Sequence, residues 1–268
     1  MSFLKKTLAS FGIGSAKIDS ILHQDVLYPG QNIDVSIHVY GGATQQPIDS
    51  IELKLCCRYI AEAPDDHGAR HTQRSRRTAQ THVLAQWTLP YGFTIHPGED
   101  RVFDITLEVP WNTPITIGDA KVWLETGLDI SMALDPTDKD ILTVRPDPVM
   151  DAILSALESQ GLRIRQVECE EVKGFALPFV QEFEMVPVDG PYHGMWRELE
   201  FVAHRDETAL GLWFEVDRAR NGHRGMLASL LGGGKLKCQL NIPIGTKPEE
   251  AGCLVLDYLA QTMVCQEA

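Results

Sequence analysis

Aspartates crowd one short stretch of this 268-residue chain: Asp129, Asp135, Asp138 and Asp140, with Lys139 among them and Arg145 and Asp147 close behind. A guanidinium is a planar fork that can hold two carboxylates from different elements. Such a set is suited to fixing the angle between two parts of a chain, because removing one partner strands the charge of the other. Calcium is a second chemistry that clustered aspartates suggest, but the glycine and terminal glutamate of an EF-hand loop are missing. The alternative is a solvated acidic turn in which Asp147 does no more than cap the helix that follows.

Other motifs fail on their spacing. Gly232-Gly233-Gly234-Lys235 has the look of a phosphate loop, but Ser229 stands where its first glycine belongs and Leu236 where a hydroxyl should hold magnesium. Gly12-Ile13-Gly14 has Lys17 in place of the third glycine of a dinucleotide fingerprint. Neither Ser155 nor Ser229 is flanked by the glycines of a nucleophile elbow. His67, His71 and His82 lie in or beside an Arg- and His-rich insert at 66–82, with no regularly spaced carboxylate or thiol ligands. The six cysteines, Cys56, Cys57, Cys169, Cys238, Cys253 and Cys265, form no C-x-x-C pair and read as free thiols. Trp111, Trp123 and Trp213 read as packing residues of core or sheet face. No catalytic, cofactor-binding or metal-ligating residue is therefore assigned. No cofactor is expected, and the chain is not expected to be an enzyme.

What must position these residues is mostly strand. Ile33, Val35, Ile37 and Val39 alternate with polar residues, as do Ile51, Leu53 and Leu55, and Phe103, Ile105, Leu107 and Val109. A period of two marks half-buried antiparallel strands. Turns at Pro29-Gly30, Gly41-Gly42, Pro97-Gly98 and 112–114 separate them, and further strands are expected at 17–26, 79–88, 119–128 and 140–145. Leu53, Leu55, Phe103, Ile105, Val122, Leu124, Leu212 and Phe214 are the expected core. At 147–160 the period changes: Asp147 caps a helix, Pro148 opens it and Gly161 stops it. Thr246 and Glu249 have the spacing of a capping box before a C-terminal helix. Arg145-Pro146 is the expected boundary between two domains, 1–146 and 147–268.

The net charge of −13 repels phosphate backbones and anionic lipid, so nucleic acid is not an expected partner. The apolar run after Lys5 and Lys6 is too short for a secretory signal, and no stretch approaches the roughly 20 apolar residues of a membrane span. The expected location is the cytoplasm. Residues 2–11 are expected to form a short amphipathic helix whose apolar face carries Phe3, Leu4, Leu8 and Phe11. That face either packs on the body of the protein or makes a peripheral membrane or partner contact.

Residues 113–148, TPITIGDAKVWLETGLDISMALDPTDKDILTVRPDP, resemble the signature of the bacterial sporulation-control family, the stage-zero M or SpoOM proteins. The opening run MSFLKKTLASFGIGSAKID is similar to the start of that family. So are Tyr28-Pro29-Gly30 with Gly41-Gly42, the run from Leu177 to Phe183, and Glu215-Val216-Asp217-Arg218. Met226 to Lys237 and the insert at 66–82 depart from it. The resemblance implies an all-β fold of two arrestin-like antiparallel β-sandwich domains, with a short helix near the linker and a C-terminal helix. It also implies a non-enzymatic regulator or adaptor that works through protein–protein contacts with partners yet to be identified. A polar cluster that fixes the relation of the two domains is a feature of arrestin-like proteins, and Asp129, Asp135, Asp138, Asp140 and Arg145 are the candidates for it. A small-ligand-binding protein, or an enzyme whose site is assembled from scattered residues, is the alternative.

Overall fold

Alternation becomes sheet throughout the computed structural model, which describes residues 14–63, 76–90, 92–131, 135–218 and 238–264. The N-terminal half contains β1 (Lys17–Leu22), β2 (Asn32–Tyr40), β3 (Gln46–Ile48), β4 (Ser50–Ala63), β5 (Arg76–Leu89), β6 (Phe93–Ile95), β7 (Asp100–Glu108), β8 (Val122–Asp129) and β9 (Thr137–Leu142). After helix α1 (Pro148–Ser159) come β10 (Leu162–Glu171), β11 (Phe179–Pro187), β12 (Trp196–Arg205), β13 (Ala209–Arg218), β14 (Cys238–Pro243) and helix α2 (Pro248–Val264). The fold is all-β, as the resemblance implied.

Two sheets sandwich the N-terminal core. One has the order β1-β2-β7; the other contains β5, β4, β8 and β9. Ile33, Val35, Ile37 and Val39 of β2 are buried with Leu53 and Leu55 of β4 and Val122, Leu124 and Leu128 of β8. The second sheet does not stop there. Strand β4 is fourteen residues long, and β8 pairs with it only from Ser50 to Cys57. Beyond that point β10 takes over the same strand in parallel, Glu170 opposite Ile60. The sheet thus continues through β10, β11, β12, β13 and β14, nine strands in all among the described residues.

In the C-terminal half, α1 and α2 contribute Ile153, Leu157, Val255 and Leu259 to the same core as Leu199, Phe201, Leu212 and Phe214. The helices approach closely because Gly252 has no side chain. A Cβ there would lie 3.1 Å from Ala156 Cβ and 3.2 Å from the Ala152 carbonyl. Helix α1 starts as expected, with Asp147 accepting from the Val149 and Met150 amides. It ends at Gly161, whose φ of 82° suits a residue without a Cβ.

Several expectations need correction. Phe103 and Ile105 face the core but are only half-buried, because among the described residues β7 is the edge of its sheet with no neighbour beyond it. Thr246 does not cap α2; its hydroxyl donates to the Pro243 carbonyl at 2.7 Å instead. Residues 76–82 of the insert are strand, and half-buried His82 lies edge-on to Phe179. Phe3, Leu4, Leu8, Phe11, His67, His71 and 226–237 lie outside the described residues. Cys56, Cys57 and Cys169 are buried free thiols. Burial pushes Cys56 up to about 11 and Cys169 up to about 12, so neither is a thiolate at neutral pH. Among the described residues no helix is long and apolar enough to cross a membrane.

Fully buried Leu53 and half-exposed Val102 separate core from rim. Leu53→Ala should lower stability by about 2–5 kcal/mol in urea unfolding, through lost transfer energy and a cavity. Val102→Ala should stay within about 0.5 kcal/mol.

Candidate functional site

The halves meet where the segment after β7 crosses the β12–β13 hairpin. Thr113 donates its amide to the Pro110 carbonyl, a tight turn with Trp111 and Asn112 at its centre. Opposite, the Asp206 carboxylate accepts from the amides of Thr208 and Ala209 and from the Thr208 hydroxyl, which fixes the hairpin next to Arg205. Those same bonds hold the Asp206 carboxyl below its ordinary range.

Two side-chain amides then clamp backbone across the junction. Asn112 Nδ2 donates to the Arg205 carbonyl at 2.8 Å, and its Oδ1 accepts from the Arg205 amide at 2.8 Å. Gln181 does the same in the other direction: Oε1 accepts from the Ile115 amide at 3.0 Å and Nε2 donates to the Ile115 carbonyl at 2.7 Å. Each half therefore reads the main chain of the other, as a strand neighbour would.

Between the clamps lies Arg205. Its guanidinium sits 4.6 Å from the centre of the Trp111 ring, a cation–π contact. Its Nη2 is 3.4 Å from both carboxylate oxygens of Asp147, and both side chains are nearly buried. The indole also lies against Gly30. A Cβ there would fall 2.4 Å from the ring, and the φ of 80° is one that L residues rarely adopt. A cavity of about 60 Å³ remains, lined by Trp111, Thr113, Pro146, Asp147, Leu177 and Arg205 among others. The buried Thr113 hydroxyl has no hydrogen-bond partner among the described residues.

The aspartates singled out in the sequence are distributed differently. Asp138 and Asp140 come together on β9, against β1: Asp138 Oδ2 accepts from the Ser20 amide at 2.9 Å, and the Ser20 hydroxyl lies 3.1 Å from Asp140 Oδ2. Asp135 accepts from the Ile130 amide, and exposed Asp129 accepts the Asp49 amide through its main-chain carbonyl. Arg145 is exposed, its amide bonded to the Leu27 carbonyl, and its guanidinium makes no ion pair among the described residues. The arginine at the junction is Arg205, and its partner Asp147 is also the cap of α1. Trp111 is 48% exposed and stacks on Arg205 rather than filling the core. A polar turn holding a tryptophan, at 111–114, was the available sequence signal for this site. Arg205 had none.

A second charged region covers the outer face of β10 to β13. Glu184, Glu200 and Glu215 stand directly opposite one another across three strands, an arrangement that costs stability unless it is compensated. Arg165 bridges Glu184 and Glu198 at 2.7 Å each, and Arg77 of β5 bridges Glu168 and Glu170. Glu182 lies among them, nearly buried, with one carboxylate oxygen unbonded among the described residues. Burial, and then Glu200 and the other neighbouring glutamates, push its carboxyl up to about 9. Burial and the bond to Glu168 raise Glu170 to about 7.

The profile of the SpoOM protein family matches residues 4–220, a span that includes every junction residue described above. The chain is 40% identical over 237 residues to the sporulation-control protein spo0M of Bacillus subtilis (strain 168), covering 88% of each. It is also similar to the crystal structure of Spo0M, sporulation control protein, from Bacillus subtilis. The TM-score is 0.78 and the identity 35%, over 93% of this chain and 99% of that one.

Two predictions follow from this geometry. Asp147→Ala removes a cap and strands the Arg205 charge, so it should cost about 3 kcal/mol in urea unfolding; Arg145→Ala should cost less than about 0.5 kcal/mol. Glu182 ionises near 4.5 in the unfolded chain but only near 9 in the fold. The folded chain thus keeps a proton that the unfolded chain releases. The resulting stability is fully present below pH 4.5 and is lost progressively as pH rises toward 9. Glu182→Gln, measured by denaturant unfolding across that range, should show a shallower decline than the native chain.

Proposed function

Because the chain belongs to the SpoOM protein family, we propose that it is a non-enzymatic cytoplasmic regulator that acts as an adaptor through protein–protein contacts. One observation carries this reading: the polar groups of the junction are spent on holding two halves together. Both Asn112 and Gln181 use donor and acceptor on backbone, and Arg205 is taken up by Asp147 and Trp111. What such a site can do is set, and let a partner reset, the relation between the units 1–146 and 147–268. A partner that contacts both units shifts that relation by the difference in its affinity for the two arrangements. The junction cavity itself, about 60 Å³, is small beside the roughly 300 Å³ at which ligand pockets begin.

Arg205→Ala tests the proposal. The variant should keep its sheet circular dichroism, change its small-angle scattering profile, and lose most of the protein partner that the native chain captures. Scattering and capture both equal to the native chain's would overturn it. So would a metabolite that raises the melting temperature of the native chain and is turned over by it.

A further inference from the structure

Edge strands invite pairing with other chains, and proteins blunt them with charges, proline, bulges or short length. Most edges here follow that rule. Strand β9 carries Asp138, Lys139 and Asp140 within six residues, and β7 carries Asp100, Arg101, Asp104 and Glu108. Six-residue β1 carries Lys17 and Asp19, and six-residue β14 ends on Pro243. Strand β5 is the exception. It is fourteen residues long, and from Thr78 to Leu89 it contains no Lys, Arg, Asp, Glu or Pro. Among the described residues it pairs only with β4, and none of them lines its other edge. Within Thr78 to Leu89 the guard is a bulge at Leu84, between the pairs Leu55–Ala85 and Cys56–Val83. Before the bulge, Thr78 to Val83 is regular strand, with Ala79, Gln80, Thr81 and Val83 exposed.

We propose that this edge is a homodimer interface, pairing antiparallel with the β5 edge of a second copy and centred on Gln80. The charges on the page favour a second copy as the occupant. Self-pairing in this register sets Thr78 opposite His82 and Ala79 opposite Thr81, and carries Arg77 of each copy past Val83 of the other, so no like charges meet. The Arg77 guanidinium, which would otherwise guard the end of the edge, is turned back across β4 onto Glu168 and Glu170 of its own chain. The opposing term is the repulsion between two chains of net charge −13. Its range is only about 8 Å at physiological salt, so association through an uncharged edge strengthens with ionic strength.

Sedimentation velocity across a wide concentration range tests this. The native mass should rise from 29.8 kDa toward twice that value, more completely at high salt. Ala79→Lys with Thr81→Lys puts four lysines at the two-fold axis and should weaken association by about tenfold or more, with the melting temperature unchanged. Amide exchange reads the same contact without substitution: protection at 78–83 should grow with protein concentration. A native chain that stays at 29.8 kDa throughout, a dimer that tolerates both lysines, or exchange at 78–83 that ignores concentration overturns the proposal.

Discussion

The backbone of β4 outruns its partner. Strand β5 lines one side of it to Ala63, but on the other side β8 reaches only to Cys57 and the Lys121 carbonyl only to the Arg58 amide, so the groups facing that way beyond them need another neighbour. Strand β10 supplies the neighbour at Ile60. That requirement makes one sheet of two halves and sets how far apart their remaining surfaces can lie. The Asn112 and Gln181 clamps reach only because the sheet has already brought the 110–115 turn to the β12–β13 hairpin.

Within that frame, the junction relies on geometry more than on strength. An ion pair at 3.4 Å and a guanidinium on a half-exposed indole contribute modestly. Four amide hydrogen bonds to main chain are more demanding, since each clamp works only if donor and acceptor fit together. Rotating one half would release all four at once and leave main-chain groups without partners. A small number of polar residues therefore gives the halves a discrete relation, with few intermediate positions between engaged and released.

Much of this was legible in the sequence. Strict alternation placed β2, β4 and β7, and Asp147-Pro148 with Gly161 placed α1, because local chemistry decides those features. Burial along an edge was not legible: Phe103 and Ile105 lie on the right face, but nothing nearby in sequence says that β7 lacks an outer neighbour. Thr246 has the spacing of a cap, but a threonine hydroxyl can serve a carbonyl behind it as well as amides ahead. The junction was hidden for a related reason. Arg205 meets Asp147 across 58 residues and Asn112 across 93, distances at which no spacing rule operates. Arg145 is adjacent to the aspartates in sequence, whereas Arg205 is adjacent to Asp147 in space.

The seam between β4 and β10 also orders events during synthesis. Ile60 leaves the ribosome about 110 residues before Glu170, an interval of roughly 5–20 s at ordinary elongation rates. During that time, among the described residues, the far end of β4 has β5 on one side and no strand yet made on the other. A nascent N-terminal half can close its sandwich yet still present an unfinished margin to whatever is nearby, neighbouring polysomal chains included. Completion waits on the C-terminal half, so a message truncated before codon 170 would yield a product with a permanently open seam, a natural substrate for chaperones and proteases.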